Sequence, residues 1–387
     1  MMKASQKIVA VVFISLISAM ILVPLALFKT GYLVLESENR KAAYYHEVSN
    51  EGFKGFETYF SDRLGFRSSL IRVYAVLHHA ALESIGNRDV FLAKNGWMFL
   101  TAEFNLEIAR GGYPLSNAQA EENALAERVI ADYYAKRGTA FFATITPSKA
   151  AIYSEYIDEN IDPQSLSTPA DRQLEAYRAA GVQAINVKPR LLAQRDTELS
   201  FQQYDAHWTQ YGAYLAYCEL LSHIMPDSDP ITITKWKHEG TSQCDMANQV
   251  MRLGYTEMIP IASYQFHAKQ VKSGAFYDAL QAQVDADNAR LKSERKSDER
   301  KTIISAVYEN PDAVGGTLLV YGDSMWFTAR GLPRFFAEHF KRVVVITLRP
   351  AISPGVDDLV KPDVVIHSHT ERFCKNGEAI RATRLLG

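Results

Sequence analysis

The chain has 387 residues, 47% of them hydrophobic, with a formal net charge of −2 and a pI near 6.6. That content can bury a sizeable core and argues against a disordered chain, while the near-neutral balance provides no basic field for nucleic acid. The three cysteines, Cys218, Cys244 and Cys374, have no CxxC spacing, so neither a zinc nor a redox motif is supported; one disulfide with a thiol left over, or buried free thiols, both fit.

Residues 8–28, IVAVVFISLISAMILVPLALF, carry no charged side chain over a length that matches the roughly 20 residues needed to cross a bilayer. The run reads as an uncleaved transmembrane anchor behind a cytoplasmic tail, residues 1–7. Lys3 and Lys7 suit an inside N-terminus, although Lys29, Arg40 and Lys41 weaken the asymmetry. A cleaved signal peptide competes, but the run is longer than a usual apolar core and no clear small-x-small site follows it.

Residues 29–75 form a juxtamembrane linker in which Phe53, Phe56 and Phe60 have helical spacing. The remainder, residues 76–387, reads as one catalytic domain. KNGWMFL (94–100) has an Asn-Gly turn signal before a short apolar run, which predicts a hairpin or strand start. Residues 116–137 open on a Ser cap and carry apolar residues at helical intervals, and GTAFFATITPSK follows as a buried strand. Residues 169–180 and GVQAINV repeat the alternation, and 209–224 predicts another helix. Residues 268–301 are charged and polar, which predicts an exposed helical or flexible insertion.

The C-terminal third is clearest: GTLLVYGDS is a strand ending in a tight turn, TARGLPRFFAEHF a helix candidate, and RVVVITL and KPDVVIHSHT two further strands. Alternating strands and helices predict an α/β fold with a mostly parallel sheet covered on both faces. Sites in such sheets gather beyond the carboxyl ends of strands. Ser324 falls at such an end.

A serine hydroxyl needs a base to become a nucleophile at neutral pH, and histidine suits that work. In YDAHWTQYG, Asp205 and His207 are separated by one residue, so an extended segment projects both to one side. An Asp on one ring nitrogen leaves the other to face Ser324, giving orienter, base and nucleophile. Gly322 permits an unusual backbone, and a helix after it would aim free N–H groups at an oxyanion; the Ser324 N–H is the leading donor, and the second is not legible. Gly-Asp-Ser and Asp-x-His are each ordinary turn or cap sequences in isolation.

Together with NGWMFL, TPSKAAIYSEYI and PDVVIHSHTERF, the pair DAHWTQYGAYLAY and VYGDSMW resembles the alginate O-acetyltransferase AlgJ/AlgX family over roughly residues 50–375. The resemblance implies an SGNH-hydrolase-like three-layer α/β/α sandwich. It also implies O-acetylation of an exopolysaccharide outside the inner membrane, with Ser324 as the acetyl-carrying nucleophile, His207 as base and Asp205 as its orienter. It further implies a membrane-bound O-acyltransferase as acetyl supplier, other polymer synthesis and export subunits as partners, and no cofactor. The single anchor, and a chain that ends soon after HTERF without room for a carbohydrate-binding module, look more like AlgJ than AlgX. The Gly and Asn blocks that complete an oxyanion hole in ordinary SGNH hydrolases are not recognisable, and the polymer is open, alginate being a family label.

Tyr204, Trp208, Trp326 and Phe327 flank the three residues and are candidates for stacking on sugar rings, though each also suits core packing. Ser148, Lys149 and Arg330 are candidate contacts to an acidic polymer or the acetyl carbonyl. His367, His369 and Glu371 alternate on one strand, but a fourth ligand is not visible and serine chemistry needs no metal, so a structural role is the reading. Two other functions use the same residues or none: a carbohydrate acetylesterase with water as acceptor, and a non-catalytic glycan-binding subunit of an export complex.

Overall fold

The computed structural model describes residues 89–101, 104–250, 253–294, 301–348 and 351–386, with short stretches before residue 89. The chain divides into two units, residues 1–92 with 242–255, and residues 93–241 with 256–387. In the first, residues 9–15 and 17–18 are helical, with Val9, Val11, Val12, Phe13 and Ile14 exposed. The rest of the expected 8–28 span lies outside the described residues, as do the boundaries expected at 7, 28 and 75 and the third phenylalanine, Phe60. Among the described residues no helix is long and apolar enough to cross a membrane. Residues 52–57 are helical, and the Phe53 and Phe56 rings lie 6.4 Å apart.

The second unit is built on a seven-stranded sheet of β1 (Ala140–Thr146), β2 (Ala184–Ile185), β3 (Lys269–Gln270), β4 (Ile303–Glu309), β5 (Gly315–Tyr321), β6 (Phe340–Thr347) and β7 (Val364–Thr370). The order across it is β2-β1-β7-β5-β6-β4-β3. β2, β1, β7, β5 and β6 pair in parallel, whereas β4 joins β6, and β3 joins β4, antiparallel. The sheet is therefore mixed. β4, ISAVYE with its flanks, carried no strand expectation because its apolar residues neither alternate cleanly nor form a long run.

Alternation along the strands explains why helices are needed on both faces. Phe142, Leu318, Val320, Val343, Val345 and Ile366 pack towards one face, beneath the helix Gln210–Ile224 and the short helix Leu332–Phe336. Their neighbours Phe141, Ala143, Leu319, Tyr321, Val344 and Val365 pack towards the other. There they meet helices Asn117–Lys136, Pro169–Ala179, Ala275–Arg290 and Pro354–Val360. Capping boxes start two of these: Ser116 with Gln119, and Thr168 with Asp171.

Ala275–Arg290 is the helical form of the exposed helical or flexible insertion expected over 268–301, with one side packed on the core. Leu280, Val284 and Asn288, spaced by four, are buried, and the first two join the second core. Its abundant charges occupy the other sides of the helix, so composition alone did not show the packed side. Cys218, Cys244 and Cys374 are buried free thiols, so the disulfide alternative is not realised among the described residues.

β5 is flanked by β6, the next strand in sequence, and by β7, the one after, so the chain reverses direction across the sheet at β5. A crevice opens beyond the strand ends at such a point. Ser324 follows β5 by three residues.

Candidate active site

The loop bearing Asp205 is closed at its base. Phe201 bridges Trp208, the Gln202 N–H donates to the His207 carbonyl at 3.1 Å, and the Thr209 N–H donates to the Ser200 carbonyl at 3.0 Å. Asp205 Oδ1 then accepts two bonds from the residue two places on, from the His207 backbone N–H at 2.8 Å and from its Nδ1 at 2.6 Å. An Asx turn thus aims the imidazole, a local device that needs no extended backbone. His207 Nε2 lies 2.8 Å from Ser324 Oγ. Asp205, His207 and Ser324 are brought into one hydrogen-bonded run.

The rest of DAHWTQYG is accounted for by position. Trp208 is buried and its Nε1 donates to the Met325 carbonyl at 3.0 Å, tying the histidine loop to the serine turn. Thr209 caps the helix Gln210–Ile224 by accepting the Gly212 N–H at 3.2 Å. A Cβ on Gly212 would sit 2.0 Å from the Ser200 carbonyl oxygen, so the helix can approach the base of the loop only with glycine there.

The serine turn is a single 3-10 turn, Ser324–Trp326, and the helix expected from TARGLPRFFAEHF is reduced to a second 3-10 turn, Thr328–Arg330, and the short helix Leu332–Phe336. Asp323 Oδ1 accepts the Met325 N–H at 3.0 Å, and its Oδ2 accepts both the N–H and the hydroxyl of Thr370 at 2.6 Å, pinning the turn to the end of β7. Gly322 is not in the left-handed region; its requirement is space, because a Cβ would lie 2.7 Å from Trp326 Cδ1. As first residue of the turn, Ser324 presents its N–H ahead of the turn's own bonds.

Asp205 is buried, and burial alone would raise its carboxyl; the hydrogen bonds and charge of His207 and the charge of Arg330 outweigh that and hold it well below the usual carboxylate range. Arg330 Nη2 donates to Asp205 Oδ2 at 3.2 Å. The run Asp205–His207–Ser324 has the atoms, order and distances of a nucleophilic serine with its base and orienter.

Residues 90–286, just over half the chain, match the family described as SGNH hydrolase-like domain, acetyltransferase AlgX. The chain belongs to that family. The matched span contains Asp205 and His207 and ends before Ser324. A relative from Pseudomonas syringae pv. tomato, named probable alginate O-acetylase AlgJ, is 29% identical over 164 residues, 42% of this chain and 40% of the relative. One of the same name from Azotobacter vinelandii is 23% identical over 279 residues, 69% of each. The chain thus spans well under two thirds of the first relative's length. Among solved structures, the O-acetyltransferase domain of Pseudomonas putida AlgJ is 17% identical with a TM-score of 0.46, over 74% of this chain and 92% of that one. Bacillus cereus PatB1 is 14% identical with a TM-score of 0.47, over 74% and 96%.

Within this AlgX-family site, several expected substrate contacts do other work. Trp208 and Trp326, 1% and 0% exposed, are core residues with no face for a sugar; Trp326 stacks on Phe336. Lys149 is buried and its Nζ donates to the carbonyls of Gln202, Gln203 and Asp205 at 2.9, 3.1 and 2.9 Å, beside the rings of Trp97 and Phe99. Ser148 is buried, with its N–H donated to Glu371. Arg330 turns to Asp205. Tyr204 and Phe327 are half-buried.

Glu257 was not legible. From the hairpin Trp236–Thr241 and Glu257–Ala262 it accepts the N–H groups of Gln203 and Tyr204 at 2.5 and 3.1 Å, on the loop whose carbonyls Lys149 holds. Burial raises its carboxyl, against those two N–H groups and Lys149. Its contacts lie 53 residues or more away in sequence and go to backbone, so no motif announces them.

His367, His369 and Glu371 have structural partners. His367 Nδ1 lies 2.8 Å from the buried Glu127 carboxylate, which raises its pKa against the effect of burial. His369 is pushed down to about 4 by burial and by His367. Glu371 accepts the N–H groups of Ser148 and Ala170 at 2.9 and 3.1 Å.

Proposed function

We propose that this chain is an extracytoplasmic polysaccharide O-acetyltransferase that works through an acetyl-serine intermediate. The observation that carries the reading is the hydrogen-bonded run from Asp205 through His207 to Ser324 in a chain of this family. Relatives named probable alginate O-acetylase support the direction of the chemistry, with alginate or a related glycan as acceptor.

In the first half-reaction Ser324 Oγ attacks the acetyl carbonyl carbon while His207 Nε2 takes its proton; the donor's acyl bond breaks, and the leaving group takes that proton. In the second, a sugar hydroxyl gives its proton to His207 and attacks the acetyl-serine carbonyl carbon, and Ser324 leaves with the proton. Asp205, held ionised, keeps the imidazole in the tautomer with Nδ1–H facing it and stabilises the imidazolium formed in each half. The Ser324 N–H is the first oxyanion donor.

The uncharged run 8–28 acts as a single-pass inner-membrane anchor with residues 76–387 in the periplasm; the exposed apolar side chains of residues 9–14 support a lipid-facing role. An acetyl group made in the cytoplasm needs a carrier across that membrane, so a membrane-bound O-acyltransferase is the expected supplier, alongside other polymer synthesis and export subunits.

The test is a purified full-length chain in detergent with a chromogenic acetyl ester and a soluble acidic polysaccharide, reading chromophore release, free acetate and polymer-bound acetyl together. Polymer-bound acetyl that disappears in Ser324→Ala is the expected result. Free acetate alone would make the chain an esterase, and turnover unchanged in Ser324→Ala would remove the mechanism.

A further inference from the structure

The Asx turn orients the His207 imidazole without placing it. Both donors on Asp205 Oδ1, the backbone N–H and Nδ1, belong to His207, so they fix one residue of the loop to another and move with it. Nε2 must meet a hydroxyl carried on a different segment, where a displacement of about 1 Å costs on the order of 10²-fold in rate. A tie between the two segments therefore comes from outside the Asx turn.

Arg330 stands where such a tie is needed. It lies on the serine's own segment, which runs through two successive 3-10 turns, Ser324–Trp326 and Thr328–Arg330. The Phe327 N–H donates to the Ser324 carbonyl at 3.2 Å and the Arg330 N–H to the Phe327 carbonyl at 2.8 Å, so backbone sets the spacing from nucleophile to arginine. The Thr328 hydroxyl anchors the second turn on β4 through the Ser305 carbonyl at 2.9 Å. Gly331 ends it with φ at +85°, in the left-handed region that favours glycine, and its N–H donates to the Thr328 carbonyl at 3.0 Å.

From that frame Arg330 Nη2 reaches Asp205 Oδ2 at 3.2 Å and stands 3.3 Å from His207 Nδ1. With the Nδ1 proton directed at Oδ1, Oδ2 is the acceptor for this N–H. The arginine side chain is 11% exposed and the aspartate 1%, so the charge-assisted bond is made away from bulk water, where it is strongest. Ser324 to His207, His207 to Asp205 and Asp205 to Arg330 then close into a ring through the backbone of 324–330. Trp208 joins the same two segments a second time through the Met325 carbonyl.

We infer that Arg330 is a positioning residue of the acyl-transfer site, holding the far oxygen of Asp205 so that the base meets Ser324, and acting through that carboxylate rather than on donor or acceptor. The inference rests on the reading of Ser324 as nucleophile. Its consequence is that Arg330 matters to the acetyl ester reaction without any polysaccharide present, and matters only while Asp205 is there.

The experiment is a double-substitution cycle on the full-length chain in detergent: wild type, Arg330→Gln, Asp205→Ala and the pair. Each is read by steady-state kinetics and by chromophore release with the chain in excess over an acetyl ester, so that slow variants register. Arg330→Gln is expected to lower kcat by about 10- to 100-fold with KM for the ester nearly unchanged, and Arg330→Lys to recover part of the loss. In the Asp205→Ala background the same change is expected to cost less than about threefold. An undiminished kcat, a KM that rises with kcat intact, or equal fold-losses in the two backgrounds would each overturn the inference. Thermal melting checks that every variant is folded, and if Arg330→Gln is not, Arg330→Lys carries the cycle on the same terms. The transferase reading fails differently, through turnover that survives Ser324→Ala.

Discussion

Asp205 carries two duties on its two carboxylate oxygens, one of them through an Asx turn. One oxygen receives both the backbone N–H and Nδ1 of His207, and the other receives Arg330. Asp205→Asn keeps the shape but offers an N–H₂ group where an acceptor is needed, so the imidazole is held in the wrong tautomer. Turnover of an acetyl ester is expected to fall on the order of 10³- to 10⁴-fold with a small change in KM, checked by steady-state kinetics. At this scale the sequence was most legible for the residues that face one another through side chains. It was least legible for Lys149, Arg330 and Trp208, whose chemistry looks suited to a ligand and is spent on the loop itself.

The elements around the site are held by backbone contacts, and these set the next predictions. Lys149 and Glu257 both hold residues 202–205, the lysine through carbonyls and the glutamate through N–H groups. Lys149→Met leaves three carbonyls without that donor. It is expected to cost about 1–3 kcal/mol of stability. As the loop loosens, turnover drops by roughly 10- to 100-fold, read by thermal melting and ester kinetics on one preparation. A melting point unchanged from wild type would contradict the clamp. Gly322→Ala places a methyl group against Trp326 and is expected to destabilise by about 1–3 kcal/mol while displacing Ser324. Gly322 was anticipated for backbone freedom and serves close approach, a distinction that only the neighbour's position reveals.

For the whole molecule, the parallel centre of the sheet and the placement of Ser324 beyond β5 followed from strand and helix alternation. The antiparallel edge β4 and the packed side of the helix Ala275–Arg290 did not, because charge and irregular spacing hid their buried positions. The face opposite the site contains a buried Asp357 that accepts from Tyr133, Tyr134 and Tyr321 at 2.9, 3.1 and 3.0 Å. Burial raises its carboxyl to about 6, against the pull of the three hydroxyls and Arg137. An acid raised on folding binds more protons in the folded state, so its contribution is complete below about pH 4 and is lost as pH rises through about 6. Stability should decline on the order of 2–3 kcal/mol over that window on this group's account, and Asp357→Asn should flatten the slope in denaturant titrations at several pH values.

The most direct measurement is intact-mass spectrometry of the full-length chain after a brief exposure to an acetyl ester, followed by peptide mapping and a chase with acidic polysaccharide. One acetyl group on Ser324, absent in Ser324→Ala and moving to the polymer during the chase, is the expected result. Polymer acetylated at the wild-type rate by Ser324→Ala, or an adduct mapped to any other residue, would contradict the acetyl-serine mechanism.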